Sequence, residues 1–154
     1  MSDARWLEID GAIESAVRHF RSAAMIYETP RGERRDLDLY VIEMGFMHAM
    51  QSGHASLENA LLRILSLFDE EPPSGANWHA DLIGRIGKTV GNRAPILTAE
   101  LVKAANETRQ FRHVAVRAYD NFDWERASRA VGYAAELGKR LPEAIARFRR
   151  ANDP

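Results

Sequence analysis

Leu61-Leu62-Arg63-Ile64-Leu65-Ser66-Leu67-Phe68 carries apolar side chains on nearly every face of a helix, the pattern of a segment sunk in a core rather than laid on a surface. Upstream, Leu39, Ile42, Phe46, Met50 and Leu57 continue the same helical spacing back to about Asp36. As one unbroken helix this stretch would be roughly 50 Å long. Gly45 and Gly53 are its weak points, where it would bend or divide into two segments. Met44, Met47 and Met50 read as core or dimer packing, since methionine fills irregular gaps.

The same period runs outward in both directions. Trp6, Ile9, Ile13, Val17, Phe20 and Ala24 form one apolar stripe on a first helix of about 24 residues. It stops before Thr29-Pro30-Arg31-Gly32, where proline disfavours a helical Thr29 and glycine permits a turn. Downstream, Asp69-Glu70-Glu71-Pro72-Pro73-Ser74-Gly75 reads as a solvated acidic loop. A short helix is predicted from about Trp78 to Val90, with Asn77 as its N-cap and Leu82, Ile83 and Ile86 facing inward. Gly91-Asn92-Arg93-Ala94-Pro95 ends it, and Thr98 caps the next helix, with Glu100 in the first turn. That helix reaches about Tyr119 and breaks at Asp120-Asn121-Phe122-Asp123. A last helix spans Trp124 to Arg150, burying Ala127, Val131, Ala134, Leu137, Leu141, Ile145 and Phe148, and Pro142 is expected to kink it or start a new turn. No alternating strand pattern and no internal repeat appears. The expected fold is all-α, an up-and-down bundle of four or five helices forming a single domain over residues 1–154.

Composition bounds the function. The chain has 154 residues, 45% hydrophobic and 28% charged, which suits one globular domain with a real core. Lys+Arg is 21 against Asp+Glu 22, a net charge of -1, so any affinity for nucleic acid must be local. The absence of cysteine excludes disulfides, a thiol nucleophile and thiolate metal sites. No apolar run approaches the roughly 18–20 residues that span a bilayer, and Met1-Ser2-Asp3-Ala4-Arg5-Trp6 carries no signal-peptide core. A cytoplasmic protein with no membrane partner is expected.

Chemistry concentrates in Thr108-Arg109-Gln110-Phe111-Arg112-His113-Val114-Ala115-Val116-Arg117-Ala118-Tyr119-Asp120. At roughly 100° per residue, Arg109, His113 and Arg117 stack along a helix with Arg112 beside them, and Arg112 shares a stripe with Val116 and Tyr119. Arginine forks bind phosphate oxygens, tyrosine stacks on a base or donates to a phosphate, and histidine moves protons near neutral pH. Arg109, Arg112 and Arg117 are therefore candidate phosphate-binding residues. A solvated basic face favoured by the helix dipole alone is the bland alternative.

Phe111-Arg112-His113-x-x-x-Arg117-x-Tyr119 resembles the signature of the HEPN superfamily, specifically its HepT-like branch. Those proteins are small helical bundles with an Arg-polar-x3-His-x-Tyr motif late in the chain. The stretch from Ser56 to Leu65 and the Pro73-Ser74-Gly75-Ala76-Asn77-Trp78-His79 segment are similar to that family at the corresponding places. The resemblance implies a metal-independent ribonuclease toxin, working as a homodimer without a cofactor and paired with a minimal nucleotidyltransferase antitoxin that adds AMP to the motif tyrosine, here Tyr119. It places Arg112, His113, Arg117 and Tyr119 in the catalytic set, with RNA cleaved at a dimer cleft.

One position departs from the pattern. Arg117 stands where the family has its catalytic histidine, and a guanidinium stays protonated, so it cannot act as general base toward a ribose 2′-hydroxyl. It can still stabilise a phosphorane, and His113 can take up proton transfer although it points about 100° from Arg112. The alternative is a non-catalytic module that dimerises and docks a nucleotidyltransferase or binds a nucleotide, or an unrelated bundle whose basic face is coincidental. Elsewhere, His48, His54 and His79 read as satisfied core or surface histidines, with no zinc-ligand pattern among them. Glu58 and Asn59 would project toward the Arg112 cluster if their helices are neighbours, Glu58 as a buried salt-bridge partner. Arg31, Arg34 and Arg35 form a second basic cluster that reads as an exposed charge run. Phosphate loops, a Ser-His-Asp order and a His-Glu-x-x-His motif are absent.

Overall fold

The periodic stripes fold as the spacing predicts. A computed structural model describes residues 3–30, 37–117 and 122–152, the last five of the middle stretch as helical backbone. Among these residues the elements are α1 (Ala4–Glu28), α2 (Leu37–Leu67), α3 (Trp78–Ile86), α4 (Ala99–Arg117) and α5 (Trp124–Asn152), an all-α bundle. No β-strand forms among the described residues, and Val90 and Arg93 make an isolated antiparallel bridge.

Local chemistry sets the ends. Asp3 caps α1 by accepting the Arg5 backbone N–H at 2.9 Å, and Thr98 caps α4 by accepting that of Leu101 at 3.3 Å. Asn77 departs from its expected role. Its backbone (φ -105°, ψ 21°) is not the extended form a capping side chain needs, and it holds the helix through its carbonyl, which accepts from Asp81. α3 also ends at Ile86, earlier than its apolar pattern suggests. The Ile86 carbonyl turns to the backbone of Ile96 and Leu97, so the chain leaves the helical path there.

α1 packs along both α2 and α5, α4 lies on α5 and α2, and α3 sits against α2 and α4. Ile9, Phe20, Phe46, Leu57, Leu61, Ile64, Leu82, Ile86, Leu137 and Leu141 fill the space between them, all fully buried. α5 runs on through Pro142. α2 neither divides at Gly45 nor at Gly53 but continues for 31 residues. The two glycines differ in purpose. A Cβ on Gly53 would stand 2.7 Å from the Phe20 ring, so the absent side chain is what lets α1 approach α2. A Cβ on Gly45 would meet only Ile26, at an ordinary 3.6 Å. The same substitution should thus have opposite signs. Gly45→Ala is expected to stabilise by about 0.5–1 kcal/mol through helix propensity, and Gly53→Ala to destabilise by about 1–3 kcal/mol through overpacking. Denaturant midpoints of the two variants moving in the same direction would refute this.

A cluster of rings locks α4 in place. Phe111, on α4, meets Phe46 of α2 edge-on at 5.7 Å, and Phe122 and Trp124 close on Phe46 at 5.8 and 6.0 Å. Because Phe111 is committed inward, the next residue, Arg112, is turned by the helical step toward α2 and α3.

A candidate site around a buried carboxylate

Three helices converge on Glu58. Its side chain is 4% exposed, at the middle of the junction between α2, α3 and α4. Arg112 of α4 donates to its Oε1 at 2.9 Å. His79, in the first turn of α3, donates from Nδ1 to its Oε2 at 2.5 Å. His54, one turn earlier on α2, brings Nε2 to within 3.5 Å of the same oxygen. A carboxylate buried this deeply is stable only when its lone pairs are met by donors or cations, and here Arg112 and His79 both donate to it.

The surroundings assign the hydrogens. Thr108 spends its hydroxyl hydrogen on the Ala105 carbonyl at 3.0 Å, so its oxygen accepts from His54 Nδ1 at 2.9 Å. Nε2 of His54 then turns to Glu58, without a hydrogen-bond partner of its own. Glu58 can only accept, so Nδ1 of His79 carries the hydrogen between them, and Nε2 of His79 is directed away from the carboxylate. The Trp78 indole stacks on the His79 ring with centroids 3.7 Å apart and fixes its plane. Burial pushes the Glu58 carboxyl up, but attraction to His54 and then to His79 outweighs it and holds the group below the usual carboxylate range.

Arg112 is thus tethered on one side and 34% exposed on the other. Glu58 is the buried salt-bridge partner that its position on the long helix suggested. Arg109 takes a different course and donates from Nε to Asn106 on its own helix at 2.8 Å. His113 and Arg117 lie in the last turns of α4, with their side chains outside the described residues, as are Tyr119 and the cluster Arg31, Arg34 and Arg35.

The sequence reads His54 and His79 as satisfied core or surface histidines and gives Thr108 no role, whereas the structure gathers all three around Glu58. A signal did exist, since His54–Glu58 and Thr108–Arg112 are both i,i+4 pairs and each pair shares one helix face. His79 had none, because its contact depends on how α3 docks. Glu70 is a correction of another kind. It is not a solvated loop residue but pairs with the buried guanidinium of Arg93, accepting at 3.0 Å on Oε1. Among the described residues, no group of three or more His, Asp or Glu side chains is disposed to hold a metal ion. No helix among them is long and apolar enough to cross a membrane.

A sequence model described as HepT-like protein matches residues 45–152, more than half of the chain and the whole of the Glu58 site. No curated protein and no solved structure matches in the corresponding comparisons. With five helices among the described residues, packed as an all-α bundle, and an arginine-bearing α4 ending in the signature region, the chain belongs to the HepT-like family of HEPN proteins.

Proposed function

We propose that the protein is the toxin component of a toxin–antitoxin pair, an endoribonuclease that cleaves RNA without a metal at a cleft between two copies. The observation that carries this reading is the tethered Arg112. A guanidinium one-third exposed, with one edge pinned to a buried carboxylate at 2.9 Å, is preorganised to meet a phosphate with the other edge. Fixed positive charge of this kind stabilises the oxygens of a pentacoordinate phosphorane, the role a divalent ion plays in other nucleases. Family membership and the Arg112-x4-Arg117-x-Tyr119 spacing support the same reading. In it, His113 helps position or protonate, Arg109 and Arg117 add charge along the RNA path, and Tyr119 orients RNA or receives AMP from a nucleotidyltransferase partner.

Purified protein incubated with labelled RNA in EDTA should cleave it, and Arg112→Ala should reduce the rate by roughly 10²–10³-fold, the usual effect of removing one preorganised donor to a developing anion. A folded wild-type dimer that leaves RNA intact would sink the ribonuclease reading. It would favour the second one, a binding module that docks a nucleotidyltransferase, which the arginine at position 117 independently supports. In that case Arg112→Ala should weaken partner or nucleotide binding instead.

A further inference from the structure

Ribose-directed cleavage needs a group that takes the 2′-hydroxyl proton, and neither Arg112 nor Arg117 can do so. We propose that His79, from α3, is that group and that Glu58 is its positioning carboxylate, an assignment that rests on the ribonuclease reading above. The geometry is that of an oriented imidazole. Nδ1 is held on Glu58 Oε2 at 2.5 Å, the ring plane is held by Trp78, and the side chain is 35% exposed. Nε2 therefore has its lone pair directed away from the carboxylate, with no hydrogen-bond partner among the described residues. His54 approaches the same carboxylate oxygen but is completely buried, so RNA cannot reach it.

One carboxylate thus organises both halves of the reaction. Its Oε2 orients the base and its Oε1 orients Arg112, so imidazole and guanidinium reach the surface on the same rigid anchor. In the step itself, His79 Nε2 takes the 2′-hydroxyl proton as the 2′ oxygen bonds to the adjacent phosphorus. The bond from phosphorus to the 5′ oxygen breaks, and that oxygen takes a proton from water. The products are a 2′,3′-cyclic phosphate end and a 5′-hydroxyl end. Charge that grows on the phosphorane oxygens faces Arg112, and the imidazolium formed at His79 is stabilised by Glu58.

The test uses a labelled single-stranded RNA of mixed sequence, in EDTA, with the full chain. His79→Ala is expected to keep its helical content and its RNA affinity, to lose roughly 10²–10⁴-fold in cleavage rate, and to recover cleavage when free imidazole is added. His79→Gln, which retains a donor to Glu58, should be equally slow, separating proton transfer from support of the fold. Glu58→Gln, assayed at a temperature where it remains folded, should lose kcat and gain nothing from imidazole. If wild type and both His79 variants cleave at equal rates while Arg112→Ala does not, the ribonuclease reading stands and the assignment of His79 is overturned. If folded wild-type protein leaves the RNA intact, that reading falls and takes this assignment with it.

Discussion

Glu58→Gln is expected to cost about 3–5 kcal/mol of folding stability at pH 7, because it removes the anion that Arg112, His54 and His79 share in a buried junction. The amide keeps an acceptor for one of them but presents its own hydrogens to another. The loss should depend on pH with a definite sign. The folded carboxyl is held below its ordinary value, so the unfolded chain binds its proton more readily than the folded one does. Its contribution is complete above the unfolded value, about 4.3, and drains away as pH falls through the folded value. Urea midpoints of wild type and Glu58→Gln should therefore lie far apart at pH 7 and draw together in acid, below the unfolded value. A gap of equal size at pH 7 and in acid would mean that the carboxylate charge is not what holds the three helix faces together.

Arg93→Ala is the second large effect, again about 3–5 kcal/mol, which for a chain of this size lowers Tm by roughly 6–20 °C. Arg93 is 1% exposed, and its guanidinium closes the C-terminal end of α3. It donates to the carbonyls of Arg85, Lys88 and Ala94 at 3.4, 3.2 and 3.0 Å while the fork grips Glu70. Glu70 is brought within reach because α2 ends with Asp69 in the left-handed conformation (φ 57°), which lets the Glu70 N–H return to the Leu65 carbonyl. Removing the guanidinium strands a half-buried carboxylate and takes away the donor that the Lys88 and Ala94 carbonyls share. Arg93→Lys should recover only part of the loss, since an ammonium cannot fork across Glu70 and the carbonyls together. Because α3 carries His79 at its other end, Arg93→Ala should also slow RNA cleavage in protein that remains folded. A Tm within 2 °C of wild type would show that α3 is held by its apolar face alone.

The helices were legible because their determinants are local. The Trp6-to-Phe20 stripe, the Thr29-Pro30 stop, the Thr98 cap and the inward face of α5 each follow from residues within a few positions of one another. At Gly53 and Glu70, where expectation and structure part, the competing interaction is distant in sequence. Gly53 looked like a weak point and is a contact surface for Phe20. Asn77 is a different case, local in origin: it has the right side chain for a cap, but its backbone angles are not those of a capping residue. Glu70 has the composition of a solvated loop and is claimed by a buried arginine 23 residues away.

The sequence by itself determined an all-α bundle, its helix limits to within a few residues, the family signature from Arg112 to Tyr119 and the arginine in the histidine position. These are one-dimensional properties, set by period, capping chemistry and spacing. Only the tertiary structure decided that Glu58 stands between Arg112 and His79, because that meeting requires α2, α3 and α4 to pack around one point. The energy of burying a carboxylate is a property of its three-dimensional surroundings, and it is the packing of Phe46 on Phe111 and the grip of Arg93 on α3 that supply those surroundings.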